Sequence, residues 1–402
     1  MFNLTRYENI NPQPWVTSAE SRFKTLKEYK GMGFKIAVFL YEAPDSSTFR
    51  YRGYNICQSL ELSTRWKGVF FYEKDLPELV DYIKDCVDLI VAIRFKWSEK
   101  LQKVIDEAHG CGIKVGFDVD DMVYDVKYTP TIMENLSIEM SDYFYNFWFA
   151  QMGRYEKTLE LADFTVATNE YLGERIRDDT GKQSYVIPNY MNRLQLAASE
   201  CYYRQKIEKE DSRDDTIAIG YFSGSPTHYN DFLLATPALK TVMDNYDNVI
   251  LVIAGYMKMP PELEEYEKRQ RVKRLDFQNF VDLQKSVAEV DINIAPLVSN
   301  DFTNCKSELK FFEAAIVGTI TLASPTYTFS GAIIDGENGF LCEDGEWTEK
   351  LTYVIENGLY KDNAFAERSR TYALNRYGYY KQIDMLESML GEMACNIAKC
   401  EE

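Results

Sequence analysis

The chain has 402 residues, 46% of them hydrophobic, and a formal charge of -18. That length exceeds what one hydrophobic core usually supports, so two domains are expected. The charge argues against nucleic acid as the main partner, because phosphate backbones are bound by positive fields, and it weakens any purely electrostatic attachment to a membrane.

Strand-like runs alternate with helical ones from about residue 34, the pattern of parallel α/β sheets. FKIAVFLY (34–41), GVFFY (68–72), DLIVAI (88–93), IKVGF (113–117), FTVAT (164–168) and SYVIP (184–188) read as strands, with helices such as SEKLQKVIDEAHG (98–110) between them. The polar segment YYRQKIEKEDSRDD (202–215) marks the expected domain boundary. A second alternation follows: TIAIGYF (216–222), NVILVIAGY (248–256), VKRLDF (272–277), VDINIAPL (290–297) and TITLAS (319–324). The predicted domains are 1–205 and 206–376, both doubly wound, with 377–402 as a helix packing back on the first. Two such sheets would bind ligands at the carboxyl ends of their strands, in a cleft.

No apolar run approaches the ~18 residues of a spanning helix, and the opening MFNLTRYENINPQPW lacks the blocks of a signal peptide. A cytoplasmic protein is expected, with the inner face of the cell membrane as a place of work. Eight cysteines without CxxC spacing and two histidines, His109 and His228, argue against a disulfide framework or a structural zinc site.

Several stretches carry candidate chemistry. In NCKSELKFFEAAIVGTITLAS (304–324), Leu309, Phe312 and Ile316 fall on one helical face, while Lys306, Lys310 and Glu313 recur at four and three on a neighbouring face. That second face meets either a ligand or water, in which case Lys310 and Glu313 form an exposed pair worth roughly 0.2–0.5 kcal/mol. YFSGSPTH (221–228) follows the first strand of the second domain; Gly224 and Ser225 there are phosphate-loop candidates or a tight turn, and His228 a donor to phosphate or an ordinary loop histidine. SSTFRYRGYN (46–55) puts Arg50 and Arg52 after strand one, and Arg94 follows LIVAI; a guanidinium at a strand end binds phosphate or forms a surface salt bridge.

FDVDDMVYD (117–125) is open to three readings. Its acids could chelate a divalent metal. Asp118 could be the nucleophile and Asp120 the acid/base of a magnesium-dependent phosphatase of the haloacid-dehalogenase type. Or Asp118, Asp120 and Asp121 could position or deprotonate an acceptor hydroxyl, or cap the next segment. SDYFYNFWFAQMGRYE (141–156) holds six aromatics from Tyr143 to Phe149, too many for one core stripe. Exposed rings there would stack on a sugar, touch lipid or pack on a partner subunit.

The order of LADFTVATNEYLGERI and VIPN (161–176, 186–189), IGYFSGSPTHYNDF (219–232), VDINIAPL with KSELKFFEAAIVGTITLAS (290–324) and IIDGENGFL (333–341) resembles the GT-B glycosyltransferases, specifically the retaining group-1 transferases of family GT4. The first domain is similar to the subgroup making bacterial surface glycans, rhamnosyltransferases included. The resemblance implies a nucleoside-diphosphate-sugar donor and a glycan or polyprenyl-linked acceptor, transfer with retention, no essential metal and a possible peripheral membrane contact. Glu313 matches the glutamate that in the family holds the nucleotide ribose, and beside it Lys306, Ser307 and Lys310 are the donor candidates, with Gly224 and Ser225 on the phosphates. Arg50, Arg52, Arg94 and Asp121 fall to the acceptor, and Asp118, Asp120 and His228 to catalysis. Eight positions before Glu313, where many members carry a second glutamate, stands Cys305. A non-catalytic nucleotide- or sugar-binding module is therefore a further alternative.

Overall fold

The computed structural model describes residues 11–45, 47–136, 138–209, 215–224 and 228–395. They form two compact units. An N-terminal unit takes 13–192, the short piece 305–307 and the chain from 379 onward; a C-terminal unit takes 193–304 and 308–378.

In the N-terminal unit six strands, β1 (Lys35–Tyr41), β2 (Trp66–Tyr72), β3 (Leu89–Ile93), β4 (Val115–Val119), β5 (Phe164–Ala167) and β6 (Ser184–Val186), make one parallel sheet in the order β2-β1-β3-β4-β5-β6. Each reads as an apolar run because a parallel strand is covered on both faces. β3, β4 and β5 are buried throughout. The crossover helices supply the cover. Leu76–Cys86 buries Leu76, Leu79 and Ile83 at helical spacing, with a proline in its first turn, and Glu99–Gly110 starts where Ser98 accepts from the Leu101 N–H and buries Leu101, Val104, Ile105 and Ala108. Each fully buried Leu or Ile contributes about 1.5–3 kcal/mol. The closing helix Ile383–Ala394 belongs to this unit. Its Glu387 accepts from the Ser63 hydroxyl and from Arg65 Nε at 2.7 Å.

The C-terminal unit holds β7 (Ile217–Ser223), β8 (Val249–Gly255), β9 (Val272–Leu275), β10 (Ile292–Ala295), β11 (Ile320–Ala323) and β12 (Phe340–Leu341), all parallel, in the order β12-β11-β10-β7-β8-β9. Counted within the unit this is 3-2-1-4-5-6, the doubly wound order of nucleotide-binding sheets. Its core is centred on Ile219, Leu251, Ile253, Ile292, Ile294 and Leu322, covered by Phe232, Leu239, Leu351 and Val354 from the helices.

Two elements differ from the sequence reading. The segment read as a polar boundary is helical from 202 to 209: Arg193–Lys209 is one helix of the C-terminal unit. It buries Gln195, Ala198, Ser199, Tyr202 and Lys206, and Lys206 Nζ donates to the Val290 carbonyl at 2.8 Å and the Thr319 hydroxyl at 2.7 Å. Apolar periodicity misses a helix whose buried face is largely polar. The single helix expected from Asn304 is broken: Asp301–Asn304 ends, and a new helix runs Leu309–Ala315. The break follows from the division of the chain, because Cys305–Ser307 belongs to the other unit.

Gly255 ends β8 with φ +83, and a Cβ there would lie 2.0 Å from the Ser223 carbonyl oxygen at the end of β7. Both the dihedral and the contact reserve this position for glycine. Gly255→Ala is expected to cost at least about 2 kcal/mol, read as a lowered urea midpoint with unchanged slope.

Candidate functional sites at the sheet switch points

In an open parallel sheet, ligands bind beyond the carboxyl ends of strands where the strand order reverses. The N-terminal sheet reverses between β1 and β3, and the C-terminal sheet between β7 and β10. Arg94 and Asp120 lie at the first of these places and His228 at the second, each within its own unit.

Beyond β1 the chain enters a π-helical turn, Arg50–Tyr54. Such turns mark sites where a helix is re-aimed. Here the turn sends Arg52 inward: its Nε and Nη2 hold Asp118 Oδ1 and Oδ2 at 3.0 and 2.7 Å, and Nη1 reaches the Ile187 carbonyl and, at 3.2 Å, Asn189 Oδ1. Both side chains of this fork are enclosed, at 0% and 1% exposure. Burial lowers the guanidinium pKa, but the Asp118 charge outweighs it and the net shift is upward. Removing one member of such a pair typically costs about 3–5 kcal/mol. Asp118, expected in catalysis, and Arg52, expected at the acceptor, are both enclosed and paired with each other as an internal brace. Arg50 is also buried, its guanidinium 4.1 Å from the Tyr51 ring centre.

Above that brace lies a partly exposed cluster. Arg94 follows β3 in the left-handed region at φ +36, with its N–H on the Asp118 carbonyl at 2.8 Å and its Nη1 on Asp120 Oδ1 at 3.1 Å. A non-glycine residue held there costs about 1–3 kcal/mol and is found where the surroundings impose it. Thr48 Oγ1 donates to Asp120 Oδ2 at 2.8 Å. Burial pushes the Asp120 carboxyl up, yet Arg94, the Thr48 hydroxyl and Arg52 together hold it below the ordinary carboxylate value. Asp121 pairs with Lys306 at 3.1 Å. Asn169 Nδ2 donates to the Cys305 carbonyl at 2.9 Å, and Asn189 Nδ2 to Ser307 Oγ at 3.0 Å. Lys306 and Ser307, expected on one helix with Lys310, therefore sit among the acidic residues of the N-terminal unit.

In the C-terminal unit, β7 runs out through Ser223 to Gly224, where an added Cβ would meet nothing within 4 Å. Ser225 lies outside the described residues. His228 immediately precedes the helix Tyr229–Asn245, and its own side chain makes no capping hydrogen bond there. Its Nδ1 is 2.8 Å from Asp231 Oδ2, and Asp231 Oδ1 accepts from the Val298 N–H, just beyond β10, at 2.9 Å. The pair thus spans the β7/β10 reversal. Burial raises the Asp231 carboxyl, and His228, the Val298 amide and the Lys310 charge more than reverse it. An ionised Asp231 places the proton on Nδ1 of the imidazole. Lys310 Nζ stands 4.8 Å from the centre of the Tyr221 ring.

Glu313, expected on an outward face, is 5% exposed, and its Oε1 accepts from Gln195 Nε2 at 3.2 Å. Glu308 precedes the helix Leu309–Ala315, accepts from the Tyr377 hydroxyl at 2.7 Å, and has its carboxyl pushed up by burial. Sequence reasoning missed Asp231, Thr48 and the Glu308–Tyr377 pair. The His228–Asp231 spacing of three on a helix was the available signal for the first; the others are long-range pairings.

The chain has the GT-B fold, which its structural neighbours share. Residues 215–358 match the family model described as glycosyl transferases group 1. Solved structures with the same fold include HepE of Anabaena bound to UDP (13% identity, TM-score 0.57, covering 89% of this chain and 100% of that one) and sucrose-phosphate synthase of Thermosynechococcus elongatus (14%, 0.56, 89% and 99%). A glycosyltransferase of Rickettsia africae ESF-5 is similar as well (12%, 0.60, 90% and 99%). No curated protein sequence matches the chain. Among the described residues no helix is long and apolar enough to cross a membrane.

Because the folded Asp120 carboxyl titrates below its unfolded value, its ion pairs contribute fully above pH ~4 and are lost as pH falls through the lower, folded value. Asp120→Asn is expected to be less stable than the parent at pH 7, with the difference shrinking below pH ~4. Urea midpoints measured across that range check it.

Proposed function

We propose that the protein is a glycosyltransferase that moves a sugar from a nucleoside-diphosphate sugar to a hydroxyl of a glycan or lipid-linked acceptor, with retention, in surface polysaccharide or glycoconjugate synthesis. The observation that carries this is a coincidence within one stretch. The residues matching the group 1 model hold a cation, Lys310, and a histidine–carboxylate pair, His228 and Asp231, at the reversal of a 3-2-1-4-5-6 sheet.

The leaving group is a nucleoside diphosphate, whose growing charge must be met as the glycosidic bond breaks. The Lys310 ammonium, the amino end of the helix Tyr229–Asn245, the backbone at Gly224, and His228 supply that field in place of a metal ion. Asp231 orients the imidazole. Glu313, steadied by Gln195, takes the ribose hydroxyls. The N-terminal unit takes the acceptor through Arg94, Asp120 and Asp121, which the Arg52–Asp118 brace holds in place. In the transfer, the bond from the sugar C1 to the phosphate oxygen breaks and the acceptor oxygen bonds C1 from the same face. The acceptor proton passes to the departing phosphate. Trapping a covalent glycosyl-enzyme would contradict this route.

The phosphatase alternative is not favoured, because both Asp118 oxygens are held by one enclosed guanidinium, which leaves no nucleophile to attack. A binding module without turnover predicts nucleotide affinity but no sugar transfer.

A thermal-shift panel of UDP, GDP, dTDP, CDP and ADP, with and without EDTA, is expected to give a chelator-insensitive rise with one nucleotide. UDP comes first because the HepE structures hold UDP and UDP-glucose. Lys310→Ala should weaken that binding ~10–100-fold, the size of one charge-assisted contact. A shift with magnesium alone would return the acidic string at 118–121 to the centre.

A further inference from the structure

The helix Asp142–Leu161 has two unlike halves. Its second half is anchored: Met152, Tyr155, Thr158 and Leu159 are buried, and Arg154 and Trp97 exchange two hydrogen bonds of 2.9 Å, Arg154 Nε to the Trp97 carbonyl and the Trp97 N–H to the Arg154 carbonyl. In the first half every residue from 142 to 147 is exposed, as are Phe149 and Ala150. Tyr143 stands 75% exposed, Phe147 51% and Phe149 45%, beside Met140 at 63%. Ring contacts join Tyr143 to Phe144, Tyr145 to Phe149 and Phe147 to Trp148.

The arrangement selects among possible occupants. At about 100° per residue, rings at 143, 144, 145, 147, 148 and 149 point to all sides of the helix. A protein that takes a helix into a groove covers one stripe, whereas a helix apolar all round is enclosed by a medium. The exposed ring area is on the order of 500 Å², short of the ~800 Å² per partner of a standard protein interface. Two copies each carrying -18 also repel one another. Tyr, Trp and Phe are the side chains that collect at the boundary between headgroups and acyl chains. Two helical turns span roughly 10 Å, the depth of that boundary.

We propose that residues 143–149 seat the protein on the interfacial layer of a lipid bilayer, by apolar insertion and not by charge. Asp142 and Glu139 flank the start of the segment, so attraction to anionic headgroups is not the cause. The proposal rests on the surface of the N-terminal unit and stands apart from the transferase reading.

The test is flotation of the full chain with phosphatidylcholine vesicles at low and at 1 M salt, repeated with vesicles containing phosphatidylglycerol. The parent floats with both vesicle types, with little loss at high salt. The triple variant Tyr143→Ser, Phe147→Ser, Phe149→Ser loses binding at least tenfold while its Tm and circular dichroism match the parent. Phe147→Glu gives the same loss should the triple variant misfold. A parent that ignores both vesicle types, variants that float like the parent, binding confined to anionic vesicles at low salt, or a parental dimer that the variants dissociate would each overturn the proposal.

Discussion

A parallel strand cannot leave either face wet, and this constraint organises both units. Among the described residues, twelve strands lie in two six-stranded parallel sheets, with helices as cover. Little polar chemistry fits inside such a layer unless it is fully satisfied. Functional groups are therefore displaced to the strand ends, and the carboxyl ends at a reversal of strand order are where the backbone leaves room for a ligand. Arg94 and Asp120 lie at one reversal, His228, Asp231 and the Val298 amide at the other. A single topological rule thus places residues that are widely separated in sequence.

The polar groups that do enter the interior act as braces. The Arg52 fork closes both oxygens of Asp118 and also ties to the Ile187 carbonyl and Asn189. The chain from β4 and the chain beyond β6 are thereby fixed to the turn that follows β1. The Arg94 backbone, held at φ +36, binds the Asp118 carbonyl while its side chain binds Asp120. An enclosed charge pair beneath a strained, partly exposed arginine is a rigid support for the two carboxylates that remain near the surface. The second unit uses the same device on a smaller scale, with Asp231 receiving both the imidazole and a main-chain amide.

The sheets were legible in the sequence because burial on both faces leaves unbroken apolar runs. The eleven runs read as strands all contain strands, and no boundary is displaced by more than two residues. β12, two residues long, is too short to read. The helix Arg193–Lys209 escaped because Gln195, Ser199 and Lys206 occupy its buried face. The break between Asn304 and Leu309 escaped for a different reason. Periodicity reports which residues share a helical face but not that three residues, Cys305 to Ser307, answer to Asn169, Asn189 and Asp121 far away in the chain. The acidic string 118–121 showed its charge but not its division of labour. Whether an aspartate faces a ligand or an arginine depends on a π-helical turn some 66 residues earlier, which no local pattern announces.

The proposed transferase holds the nucleotide of its donor at the β7/β10 reversal of the C-terminal unit. Amide hydrogen exchange of the full chain, with and without the nucleotide that raises its Tm, tests this by location. Protection is expected in peptides covering 219–232 and 308–316, with the acidic string 117–125 unchanged. Protection confined to 117–125, with the peptides of the C-terminal unit unaffected, would contradict it.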